Sequence, residues 1–89
     1  MLIDFDKAKD LINLGKHGLS LALAAEVDWE HALAWTDKRR DYREVRMIAL
    51  APSTGILYNI AFVDRDQTRR IISLRKANRR EVKHYAENF

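Results

Sequence analysis

Between residues 44 and 75 the chain carries three extended segments in succession, separated by two short clusters of turn-forming residues. Across residues 44–51, Val45, Met47 and Ala49 alternate against Glu44, Arg46 and Ile48, which is the period of a strand with one covered face. Pro52-Ser53-Thr54-Gly55 has the composition of a hairpin loop. Residues 56–63 are apolar except at Asn59, as expected of a central strand covered on one face and partly on the other. Asp64-Arg65-Asp66-Gln67 turns the chain again, and residues 68–75 form a further strand. Consecutive strands joined by loops this short pair antiparallel.

The flanking segments supply helices. Leu2, Ile3 and Phe5 suggest a short first strand, and Asp6 is placed to cap a helix over residues 7–16 with Ala8, Leu11 and Ile12 facing inward. Gly18 is placed to end that helix in a left-handed conformation. Ser20 caps a second helix from Leu21 to about Asp28, apolar on nearly every side and so largely buried. Residues 31–35 read as a weak strand and residues 37–41 as a charged connection. The last helix has the clearest start: Asn78 at the N-cap with Glu81 three residues later, then Val82, Tyr85, Ala86 and Phe89 as one apolar stripe. The order β-α-α-β-β-β-β-α predicts an α+β domain, an antiparallel sheet packed by helices.

At 89 residues the chain has the size of one domain, spanning residues 1–89, and buries roughly 60–65% of its extended surface. Hydrophobic residues at 47% and charged residues at 33% exclude disorder along most of the chain. No cysteine is present, so disulfide frameworks and thiolate zinc sites are excluded. No apolar run approaches a membrane span, and Met1-Leu2-Ile3-Asp4-Phe5-Asp6 lacks the basic start of a secretory signal. A cytoplasmic protein without membrane contact is expected.

Charge is unevenly placed. Residues 64–89 hold eight Lys and Arg against four Asp and Glu, whereas residues 1–63 hold eight against nine. Six of the late cations are arginines, whose planar fork suits phosphate oxygens, so the basic third points to a polyanion, most simply nucleic acid. The alternative is a solvated charged face. If residues 68–75 form a regular strand with Ile72 and Leu74 toward the helices, Arg69, Ser73 and Arg75 look out across the opposite face, and Arg70 lies with Ile72 and Leu74.

Two stretches carry a family resemblance. Phe5-Asp6-Lys7-Ala8-Lys9, Asn13-Leu14 and Lys16-His17-Gly18-Leu19-Ser20 resemble the N-terminal signature of the BrnT toxins. Arg70-Ile71-Ile72-Ser73-Leu74-Arg75-Lys76-Ala77, followed by Arg80-Glu81 and Tyr85, resembles the C-terminal one, in the expected order and spacing. The resemblance implies a toxin of a bacterial type II toxin–antitoxin module with a RelE-like fold. It implies a ribonuclease that arrests translation, is neutralised by a BrnA-like antitoxin, and reaches operator DNA only through that antitoxin.

Metal-independent RNA cleavage needs a base for the 2′-OH, cations for the charge building on the phosphate, and an acid for the leaving 5′ oxygen, with no cofactor. His17 is the first candidate for proton transfer, with an unperturbed pKa of about 6.5; its alternative role is to interact with the carbonyls at its helix end. Arg70 and Arg75 are the candidates for phosphate binding and transition-state stabilisation, and only one reaches the site unless a bulge intervenes. Lys16, Arg69, Ser73 and Lys76 are candidates for RNA phosphate binding. Tyr85 is a core residue with its hydroxyl at the rim, or else an acid or stacking group. His31 and His84 have no ligand spacing around them, so no metal site is expected. Trp29 and Trp35 read as packing residues. The alternative function is a non-catalytic module on the same fold that binds nucleic acid or a protein partner.

Overall fold

A computed structural model describes residues 1–89. In chain order the elements are β1 (Leu2–Phe5), α1 (Lys7–His17), two 3₁₀ turns (Leu21–Ala25 and Trp29–His31), β2 (Leu33–Thr36), β3 (Met47–Ser53), β4 (Ile56–Arg65), β5 (Thr68–Lys76) and α2 (Arg79–Asn88). The five strands form one sheet in the order β1-β5-β4-β3-β2. Strands β3 to β5 pair antiparallel as their short connections require, β2 pairs antiparallel with β3 across the longer connection 37–46, and β1 joins the far edge parallel to β5. No helix is long and apolar enough to cross a membrane.

Local chemistry accounts for most boundaries. The Asp6 carboxylate accepts from the Lys9 amide and Gly18, at φ 68°, closes α1. The β3–β4 loop tightens to Thr54-Gly55, both at positive φ (46° and 80°), because Pro52 and Ser53 continue the ladder opposite Leu57 and Ile56. Pro52 is tolerated there because β2 pairs only as far as Leu50, so no neighbour needs its missing N–H. The helix expected after Ser20 is instead a 3₁₀ turn. An α-helix would bond the Asp28 amide to the Ala24 carbonyl, but the Trp29 indole N–H takes that carbonyl at 2.8 Å. The Asp28 amide goes to the Pro52 carbonyl at 2.9 Å. Leu21 and Ala24, one 3₁₀ repeat apart, are fully buried.

The main core lies between the 3₁₀ turns and one sheet face: Leu21, Ala24 and Val27 against Ala49, Ala51, Tyr58, Ile60, Phe62, Ile71 and Leu74. Helix α1 does not bury the apolar residues expected of it. Ala8, Leu11, Ile12 and Leu14 are exposed. The helix is held by Asn13, whose Nδ2 donates to the carbonyls of Leu19 and Leu74 and whose Oδ1 accepts from the Leu74 amide. Since β1 stops pairing at Ile71, this amide continues the ladder where the edge strand has ended. Helix α2 likewise leaves Val82, Ala86 and Phe89 exposed. It starts on the full Asn78–Glu81 capping box and docks through polar contacts on the sheet face opposite the core.

One irregularity positions the functional side chains. Ala61 pairs with Ser73 but Phe62 pairs with Ile71, so Ile72 is an extra residue in β5, a β-bulge. The bulge reverses the facing expected for half of the strand. Ile71 and Leu74 both enter the core, while Ser73 and Arg75 turn to the opposite face beside Ala61 and Asn59. Arg70, opposite Val63, falls on the face of Arg75, the case in which a bulge lets both face one way.

Candidate functional site

The face opposite the core is floored by one cross-strand row. Trp35 pairs with Ile48, Ile48 with Ala61, and Ala61 with Ser73. Above this floor is a cleft of about 430 Å³, walled by residues 36–39, Arg46, Asn59, Arg75 and Glu81. Its cations are Lys38, Arg39, Arg46 and Arg75, against the carboxylates Asp37 and Glu81.

Two carboxylates organise these cations, Asp37 buried and Glu81 half-buried. The side chain of Asp37 is 1% exposed. It accepts from the Arg39 amide at 3.1 Å, from Arg39 Nε and Nη2 at 2.8 Å each, and from the Tyr42 hydroxyl at 3.1 Å. The connection expected only to be charged is therefore folded around one acceptor. Its hydrogen bonds from Arg39 hold Asp37 well below the usual carboxylate range against the opposing effect of burial, and the same pair raises the Arg39 pKa. Arg39 itself stays 75% exposed, held by its fork with its outer edge toward solvent. Arg46 lies over the Tyr42 ring at 3.9 Å, and its Nε is buried without a hydrogen-bond partner.

The second carboxylate is Glu81. Arg75 donates Nη1 and Nη2 to it at 2.8 and 2.9 Å. Asn59 Nδ2 and the Asn78 amide donate at 2.7 and 2.9 Å. Burial pushes Glu81 up, but these donors, Arg75 foremost, outweigh it and lower its pKa. The contact ties α2 to the sheet and fixes the Arg75 guanidinium at the cleft wall.

The folded pKa values of Asp37 and Glu81 both lie below those of an unfolded chain, which are about 4. Their stabilisation is present above that range and is lost as pH falls through the folded values. The melting temperature should therefore drop on acidification below about pH 5. Asp37→Asn should melt lower than wild type at neutral pH but lose less on acidification. Thermal melts across a pH series test this, and a wild-type melting temperature that rises in acid contradicts it.

A second hollow, of about 210 Å³, lies between α1 and β5 and is lined by Lys9, Ile12, Asn13, Lys16, His17, Ile72 and Ser73. Ser73 borders both hollows. The structure thus gathers Ser73 with Arg75 on one side, and Ser73 with Lys16 and His17 on the other.

The remaining candidates lie elsewhere. Arg69, expected on the open face, is on the core side because of the bulge. Its guanidinium stacks over Trp29 and Phe62 at 4.5 and 4.3 Å and forks onto Asp64 at 2.7 and 2.9 Å. Arg70 pairs with Asp4 across the β1–β5 edge at 2.7 Å and lines neither hollow. Lys76 shares the core-side row of Tyr58 and also lines neither. Tyr85 donates its hydroxyl to the His31 carbonyl at 2.6 Å and stacks on Phe89, so it clamps α2 to the 3₁₀ turn. Lys38, Arg39, Arg46 and Asn59 were not anticipated. The signal available for the three cations was the density of basic residues across 38–46, where hydropathy shows only a loop, and for Asn59 its place as the lone polar residue of the apolar run 56–63.

The model of the family described as "Ribonuclease toxin, BrnT, of type II toxin-antitoxin system" matches residues 5–81. The chain belongs to the BrnT family. A crystal structure of the Brucella abortus ribonuclease toxin BrnT is similar to it with a TM-score of 0.69 at 26% identity, covering 89% of this chain and 99% of that one. No curated protein matches it by sequence. The BrnT family is one of ribonuclease toxins in toxin–antitoxin systems, so membership brings RNA as the substrate class and an antitoxin as the partner. The α+β architecture is that of the BrnT structure.

Proposed function

We propose that this chain is a metal-independent endoribonuclease whose substrate strand crosses β5 at Ser73. The observation that carries this reading is that Ser73 belongs to both cationic hollows. A phosphodiester over its hydroxyl has the Arg75 fork on one side and Lys16 with His17 on the other. Arg75 would then stabilise charge building on the phosphate oxygens. His17 would exchange the proton of the 2′-OH or of the leaving oxygen, and Lys16 would hold the adjacent phosphate. The activity would arrest translation in the cytoplasm until a BrnA-like antitoxin occupied the toxin, the complex reaching operator DNA through the antitoxin alone. The residues form one BrnT-like toxin domain over 1–89.

Purified protein incubated with total RNA, with and without chelator, tests the reading. Cleavage in both conditions, leaving cyclic phosphate ends, is expected. Intact RNA after incubation with verifiably folded protein overturns it. A second reading, non-catalytic binding of nucleic acid, is favoured by one observation: Arg69, Arg70 and Arg75 are each paired with a carboxylate. It predicts salt-dependent RNA binding with no cut product.

A further inference from the structure

We infer that Trp35 is a stacking platform for one unpaired nucleobase, placed beside the phosphate-binding guanidiniums of the cleft. The inference rests on the reading of the cleft as an RNA site and adds how the strand is recognised.

The two tryptophans have opposite environments. Trp29 is committed to the fold: its indole N–H is bonded to the Ala24 carbonyl, its ring meets Phe62 edge-on at 5.3 Å, and Arg69 lies over it. Trp35 sits on the edge strand β2, is 37% exposed, and lines the cleft. His84 of α2 meets it at 5.6 Å with the rings nearly perpendicular, which fixes the orientation of the indole. A large aromatic ring left open in a basic groove has little reason in packing. It is the combination that binds single strands, in which cations follow the backbone and bases stack on aromatic faces.

The register places this platform relative to the chemistry. Trp35 and Ser73 are the two ends of the four-residue floor row. Three strand spacings separate them, roughly 14 Å at about 4.8 Å each. A base on Trp35 therefore belongs to a nucleotide flanking the one whose phosphate lies at Ser73. Between the two ends, Ala61 keeps the floor low, and Arg39, 75% exposed, lines the same cleft with Arg46 and offers the outer edge of its guanidinium to the intervening phosphate. Duplex RNA, whose bases are already stacked on one another, cannot use the platform.

The test uses a short single-stranded 2′-O-methyl oligonucleotide, which lacks the attacking hydroxyl, and inorganic polyphosphate as a polyanion without bases. The oligonucleotide should quench wild-type tryptophan fluorescence, and polyphosphate should not. Trp35→Phe should abolish the quenching while keeping oligonucleotide affinity within a fewfold, because a phenyl ring still stacks. Trp35→Ala should weaken oligonucleotide binding roughly tenfold or more and leave polyphosphate binding unchanged. If the oligonucleotide binds wild type and Trp35→Ala equally, the platform is wrong while the RNA site stands. If wild type binds no oligonucleotide at all, the site itself falls and the platform with it.

Discussion

Replacing Arg75 by alanine should reduce RNA cleavage about 10²–10³-fold, the usual cost of removing one preorganised donor to a developing oxyanion. The guanidinium is held by two bonds to Glu81, so it is oriented before any substrate arrives and pays little to reorganise. The substitution also leaves the Glu81 carboxylate uncompensated at the cleft wall, where it repels the phosphate. The two effects separate in the double variant Arg75→Ala with Glu81→Gln, which should regain RNA affinity but not rate. Arg75→Lys keeps a charge without the fork and should fall between wild type and alanine. Single-turnover cleavage, beside thermal melts that establish folding, measures all of these. Unchanged cleavage by folded Arg75→Ala would remove this residue from the chemistry.

Asn13→Ala should be among the most destabilising single changes in the chain, costing about 3 kcal/mol. The amide is 4% exposed and makes three hydrogen bonds, two of them to the backbone of Leu74. Truncation strands the buried Leu74 N–H and C=O together with the Leu19 carbonyl, and an unsatisfied buried group costs roughly 1–3 kcal/mol. Total stability for a domain of this kind is about 5–15 kcal/mol, so the loss is a large share. Asn13→Asp keeps the acceptor for the Leu74 amide but sets a carboxylate against two carbonyls, and should not rescue. Urea unfolding reads the effect as a lower midpoint at constant slope. A shift corresponding to less than about 1 kcal/mol would show that α1 is held by something other than this amide.

The parts of this fold that were legible from sequence are those governed by neighbouring residues. Asp6, Gly18 and the Asn78–Glu81 box cap the helices they were expected to cap, and Ser20 caps a 3₁₀ turn in place of the expected helix, because a cap involves only the few residues around it. The meander from β3 to β5 follows from alternation and short turns for the same reason. What was not legible depends on partners distant in sequence. The extra residue Ile72 has no local signature, yet it decides which arginines of β5 meet the cleft. Ala8, Leu11 and Ile12 have helical spacing but stay exposed, because α1 is anchored at the sheet edge by Asn13, 61 residues from Leu74. The cations of residues 38–46 read as solvated charge until Asp37 is seen at 1% exposure. Of the anticipated site, Arg75, Ser73, Lys16 and His17 line the two adjoining hollows, whereas Arg69 and Arg70 are spent on Asp64 and Asp4.

The pairing of Leu2–Phe5 with the last strand has a consequence for biosynthesis. Leu2–Phe5 is made before its neighbour, which begins at Thr68, so the sheet cannot close on that side until β5 has been synthesised. Ser73, Arg75 and Glu81 emerge later still. A chain that has not reached those codons carries neither a completed edge nor an assembled cleft, so the order of the strands couples assembly of the cleft to the synthesis of β5 and α2.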